Sequence, residues 1–275
     1  MERIRNSRTF LSTLIIAIAS FGLMSSSSAE SRKKEYIVID SVNVPRSQKE
    51  ALIVLPGFGA QQQGVKDIAA YFSHKGYDFF MPDYIANDSI SRCVSNFDAF
   101  YKKNRLSEYR KVHVFSFIIG SWVINRWIVK NDSNNIATIV YDRSPLQERA
   151  PYALATDSPL LMRLYPPGKV IREFAVTPYT GIPNDEKNIG IIMESTASKL
   201  IHKHRKTTLS LGEVSWDIAD RKQDCDDYFF TLNNHDDMYH DFSVTGKEIL
   251  YFIKNGKFTD SVPRTKPNVD PFAKK

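Results

Sequence analysis

The chain has 275 residues, 42% hydrophobic and 25% charged, which is enough to bury one sizeable core. Its 37 Lys and Arg against 31 Asp and Glu are interspersed in sign, and no aromatic interleaving points to a nucleic-acid surface. Two cysteines, Cys93 and Cys225, lack the companion Cys/His pattern of a zinc site.

The N-terminus reads as a secretory signal over residues 1–29. Arg3, Arg5 and Arg8 precede the apolar run Phe10–Met24, and Ser27-Ser28-Ala29 offers small residues for cleavage. The run is short for a membrane span, which needs ~20 residues, and no later stretch is long and apolar enough. The expectation is an exported chain without a transmembrane span once the signal is removed. Removal would leave 34 basic against 30 acidic residues. Export would also allow a Cys93–Cys225 bridge, with two separate buried thiols as the alternative.

Ala51–Leu55 (ALIVL) is a continuous apolar run of the kind found in central parallel strands. Pro56 ends it, and Gly57, Phe58 and Gly59 follow as a turn whose glycines let backbone approach a ligand. Val65, Ile68, Ala69 and Phe72 share one helical face, with Gly76 at the expected C-cap. Tyr77–Met81 reads as a strand, Phe97–Tyr101 as part of a helix, and Ile136–Tyr141 as another buried strand. Alternating strands and helices predict a mostly parallel sheet with helices on both faces.

Lys111–Ser121 (KVHVFSFIIGS) reads as strand, tight turn and helix, with Ser116, Gly120 and Ser121 as small residues around the turn. This resembles the nucleophile elbow of the α/β-hydrolase superfamily. At the position where that family keeps its nucleophile stands Ile118, a β-branched hydrocarbon with no lone pair. Ser116 is a poor substitute, because Val114 and Ile118 would then fill positions that must be small. Ser121 lies in the helix start, and Ser144 precedes a proline.

The resemblance implies more along the chain. The LPGFG turn matches the loop that supplies an oxyanion-hole amide. Residues 145–188 hold seven of the thirteen prolines among Tyr152, Leu160, Leu161, Met162, Leu164 and Tyr165, and match an inserted lid. A purely structural excursion is an equal alternative for them. Ile189–Met193 is a strand, and Ser198 falls where the family has its acid, with Glu194, Asp217 and Asp220 as possible substitutes. Tyr228–Leu232 is the last strand, and His235 directly after it matches the general base. The NNHDDMYHD loop could instead offer metal ligands, a weak signal without a fixed motif.

Thr245-x-x-Glu248 has capping-box spacing ahead of a terminal helix, and residues 258–275 read as a loose tail. The cluster Lys199 and His202–Lys206 reads as a solvated loop. The domain thus spans 36–257. Its implied role is retention of a small hydrophobic or acyl ligand over Gly57, Phe58, Gly59 and Ile118, without an intact triad and without a cofactor. The alternative is a serine ester or lipid hydrolase with a displaced nucleophile, Ser116 or Ser121, serving His235.

Overall fold

A computed structural model describes residues 35–40, 42–58, 62–131 and 135–273. Residues 1–29, where a signal is expected, and Gly59 lie outside the described residues. Seven strands form one sheet in the order β1-β3-β2-β4-β5-β6-β7. They are β1 (Tyr36–Val38), β2 (Glu50–Leu55), β3 (Asp78–Met81), β4 (Lys111–Ser116), β5 (Ile136–Arg143), β6 (Asn188–Glu194) and β7 (Asp227–Thr231). Only β1 is antiparallel to its neighbour; β3 through β7 pair in parallel.

Side-chain alternation divides the core into two layers. From β2, Ala51, Ile53 and Leu55 enter one layer with Val112 and Val114 of β4. Leu52 and Val54 enter the other with Phe115. Helices α2 (Ile90–Lys103) and α3 (Ile118–Lys130) cover the first face with Phe97, Val123, Ile124 and Trp127. Helices α1 (Gln62–Phe72) and α9 (Thr245–Asn255) cover the second with Ile68, Phe72, Ile249 and Phe252.

Between β5 and β6 the chain makes an excursion of three short helices, α4 (Ala150–Asp157), α5 (Pro159–Leu164) and α6 (Gly168–Val176). Val170 and Phe174 of α6 pack into the main core, whereas Leu160, Leu164 and Tyr165 face solvent. The basic cluster does not form a loop. It lies on α7 (Lys199–Lys203) and α8 (Arg205–Ser210), with His204 buried against Asp157 at 2.7 Å. No helix among the described residues is long and apolar enough to cross a membrane.

Three local expectations are corrected. Helix α1 stops at Phe72, and the left-handed residues are His74 and Gly76 beyond it, so Gly76 is not its immediate cap. The Thr245–Glu248 capping box does not form. Glu248 accepts hydrogen bonds from the Thr259 amide and hydroxyl, and Thr245 donates to the Asp241 carbonyl. The tail is held down through residue 273. Phe258 is fully buried against Phe229 and Phe252, Arg264 binds both oxygens of Asp227 at 2.9 Å, and the Ala197 amide donates to the Pro271 carbonyl. Backbone pairing and a bidentate ion pair outweigh the entropy of so polar a segment. Cys93 and Cys225 are free thiols, and the Cys93 sulfur accepts the Ala86 amide hydrogen.

Candidate functional site

The C-terminal ends of β2, β4, β5, β6 and β7 converge on one point, as the carboxyl edge of an open parallel sheet does. His235 follows β7, and its Nδ1 donates to Glu194 Oε1 at 2.8 Å. Asp142 Oδ2 lies 3.5 Å from the same nitrogen. Glu194 closes β6 and Asp142 lies near the end of β5, both fully buried. Asp142 is a residue that sequence reasoning missed. Its signal was a charged Asp142-Arg143 pair closing an apolar strand.

The imidazole's charge follows from these neighbours. Burial by itself would lower the His235 pKa, but Glu194 and Asp142 outweigh it and raise it to about 10. Burial and the adjacent Asp142 push Glu194 well above the ordinary carboxylate range, against the opposing pull of His235. Glu194 is therefore held toward its protonated form, while the ring keeps its charge.

The acid expected at Ser198 is thus supplied by Glu194. Ser198 caps α7 by accepting the Ile201 amide and donates its hydroxyl to Gln147 Oε1 at 2.6 Å. Asp217 accepts from the Ala219 amide, and neither it nor Asp220 bonds to His235. In the NNHDDMYHD loop His240 pairs with Asp67 at 2.6 Å rather than with His235. Among the described residues, Asp142, Glu194 and His235 are the one convergent group of three His, Cys, Asp or Glu side chains.

The turn from β4 into α3 differs from a strained elbow. Phe117 is the N-cap with φ −69° and ψ 158°, and Ile118 is the first helical residue. Positive φ among described non-glycine residues occurs only at His74, Arg105 and Lys222. The turn is closely packed all the same. A Cβ on Gly120 would lie 2.9 Å from the Leu55 Cβ and 3.1 Å from its carbonyl oxygen.

Phe117, one residue before the expected position, is the side chain that β4 sends toward the imidazole, with ring centroids 6.2 Å apart. Phe117 stacks on Tyr239 at 4.2 Å and 5°. The Tyr239 hydroxyl accepts the Gly57 amide hydrogen at 3.0 Å. A side chain on Gly57 would begin 2.7 Å from that hydroxyl and 3.7 Å from His235 Nε2, so any larger residue would push the hydroxyl off the amide. Burial raises the Tyr239 phenol, so it stays protonated. Ser121 donates to the Ile118 carbonyl. The Ser116 hydroxyl is fully buried without a partner.

A cavity of about 200 Å³ opens beside His235. Gly57, Phe58 and Ile118 line its floor, and Leu154, Ile171 and Phe174 of the excursion line its roof. Gln147 and Glu148 add polar atoms. Glu148 is held by Arg143 Nε at 2.6 Å and by Arg221 Nη1 at 3.2 Å. Arg143 is buried, with its guanidinium 4.0 Å from the centroid of the Tyr179 ring. Phe58, Gln147, Leu200 and His235 also border a wider cleft of about 1130 Å³, so the two spaces meet at these side chains.

No family model matches this chain, and no curated protein matches it. Among solved structures it is similar to Est1E from Butyrivibrio proteoclasticus, at 10% identity and a TM-score of 0.51 over 81% of this chain and 93% of that one. It is also similar to the juvenile hormone epoxide hydrolase of the silkworm Bombyx mori, at 11% identity and 0.51 over 81% and 73%. The chain has the α/β-hydrolase fold. At these identities the likeness extends to the fold alone. Within the α/β-hydrolase fold, His235 and Glu194 face the sheet's carboxyl edge from consecutive strands, while the β4 turn offers only hydrocarbon.

Proposed function

We propose that this protein is an exported α/β-hydrolase-fold chain that binds a small hydrophobic or acyl ligand without turning it over. The observation that carries this reading is the state of the Gly57 amide. An oxyanion hole needs a free N–H aimed at developing charge, and this one is bound to Tyr239. The neighbouring side chains from the β4 turn, Phe117 and Ile118, have no atom that can attack a carbonyl.

The cavity size limits the ligand. At about 200 Å³ it is little larger than the ~150 Å³ apolar cavity that accepts benzene, and below the ~300–1,000 Å³ of most small-molecule sites. A single ring or a short acyl chain fits; a long lipid would have to extend into the wider cleft. The excursion helices α4 and α6 would then serve as the lid.

The alternative is hydrolysis with a displaced nucleophile. Its support is the His235–Glu194 pair, which orients an imidazole as a general base would be oriented. Against it, Ser121 is bonded to a carbonyl and Ser116 is sealed in the core. The test is incubation of pure protein with p-nitrophenyl acetate and p-nitrophenyl butyrate, alongside labelling with a fluorophosphonate. The binding reading expects no burst, no turnover and no adduct. Turnover that His235→Ala abolishes, or an adduct mapped to one serine peptide, overturns it.

A further inference from the structure

We propose that the ligand is a small monocarboxylic acid, its carboxylate held between His235 Nε2 and the side-chain amide of Gln147 and its apolar part in the cavity beside Ile118. This names the ligand class of the binding site proposed above and rests on that reading.

Both donors are fixed by partners on their far side. His235 commits Nδ1 to Glu194, which leaves Nε2 on the side of Gly57 and the cavity. The charged and titratable groups packed on this ring are Asp142 from β5, Glu194 from β6 and the Tyr239 phenol from its own loop. Two buried carboxyls behind the ring keep it an imidazolium at neutral pH, so Nε2 presents a hydrogen to the cavity. Gln147 is oriented by Ser198. The Ser198 oxygen already accepts the Ile201 amide, so its hydroxyl hydrogen goes to Gln147 Oε1. The carboxamide therefore turns its NH₂ away from Ser198, and Gln147 borders both the cavity and the cleft.

Two N–H donors on side chains that border both the cavity and the cleft suit the two oxygens of a carboxylate. The nearby Glu148 carboxylate does not oppose an anion, because Arg143 and Arg221 both bind it. The remaining floor and roof named above are carbon apart from the backbone, which places the head group at the junction and the tail inside. The Gly57 amide, also on this side of the ring, is already taken.

The test is calorimetric titration with hexanoate, hexanamide and hexan-1-ol, which share a tail and differ in the head. At pH 7 hexanoate is expected to bind at least about tenfold more tightly than either neutral probe, the scale of one charge-assisted hydrogen bond. Gln147→Leu should weaken hexanoate about tenfold, with circular dichroism and a thermal melt showing that the variant is folded. Raising the pH past 10 should remove the preference for hexanoate. Equal binding of all three overturns the carboxylate assignment while the apolar binding site stands. Binding of none of them overturns the binding reading, and the assignment with it. An unchanged hexanoate affinity in Gln147→Leu overturns the two-donor site.

Discussion

The hydroxyl of Tyr239 occupies the amide of Gly57, 182 residues away in the chain. That contact joins the loop after the last strand to the turn after β2, and Phe117 stacks beneath it. Tyr239→Phe keeps the stack and leaves the Gly57 N–H without its acceptor. A loss of about 1–3 kcal/mol is expected, read as a lower urea midpoint at unchanged slope. Freeing the amide should produce no ester hydrolysis, since no nucleophile faces it.

Stability should fall as the solution becomes alkaline. His235 is raised to about 10 from an ordinary 6.5, so its contribution is complete below pH 6.5 and lost as pH rises through 10. Glu194 is also raised, and a carboxyl that prefers its protonated form in the fold loses stability in the same direction as pH increases. Glu194→Gln should remove most of this slope and bring the His235 titration, followed by NMR of the ring carbons, down toward 6.5. A His235 titration unchanged in that variant would contradict the assignment of its main charge partner.

Glu148→Ala should be among the more damaging single changes near the cavity. It strands the buried Arg143 and leaves Arg221 without its partner on the excursion. Removing one member of a buried ionic group costs about 3–5 kcal/mol, and Glu148→Gln, which can still accept hydrogen bonds, should cost less. Thermal melts of the two variants give the comparison.

Gly120→Ala tests the closeness of α3 to the sheet. The added methyl would sit 2.9 Å from the Leu55 side chain and 3.1 Å from its backbone oxygen. Overpacking of this kind costs about 1–3 kcal/mol, even though alanine is the better helix former. A stabilised Gly120→Ala would mean that the helix can shift outward freely.

The sheet was legible because buried parallel strands announce themselves locally; ALIVL and IATIVY needed no partner to be recognised. His235 could be placed by its order after the last strand. Glu194 appeared only as one of three acids, because which carboxylate meets an imidazole is decided by strand packing. Asp142 and Tyr239 left still less trace, since their partners lie far off in the chain: His235 is 93 residues after Asp142, and Gly57 is 182 residues before Tyr239. The spacing of small residues located the β4 turn but placed the imidazole-facing side chain one position late. Without a left-handed residue at the apex, the helix starts at Ile118 and Phe117 takes the inward place. Thr245 and Glu248 had capping spacing, but Thr245 bonds back to the Asp241 carbonyl and Glu248 accepts from Thr259, which lies beyond the helix.

The relaxed geometry at Phe117 and Ile118 bears on what a serine placed there could do. Replacing Ile118 with serine would put a hydroxyl in the first turn of an ordinary helix, not on a raised knuckle aimed at the imidazole. Aiming it at the ring beside a free Gly57 amide would require resetting the backbone there and evicting Tyr239 as well. Each change alone is expected to lower stability without aiming the new hydroxyl at His235.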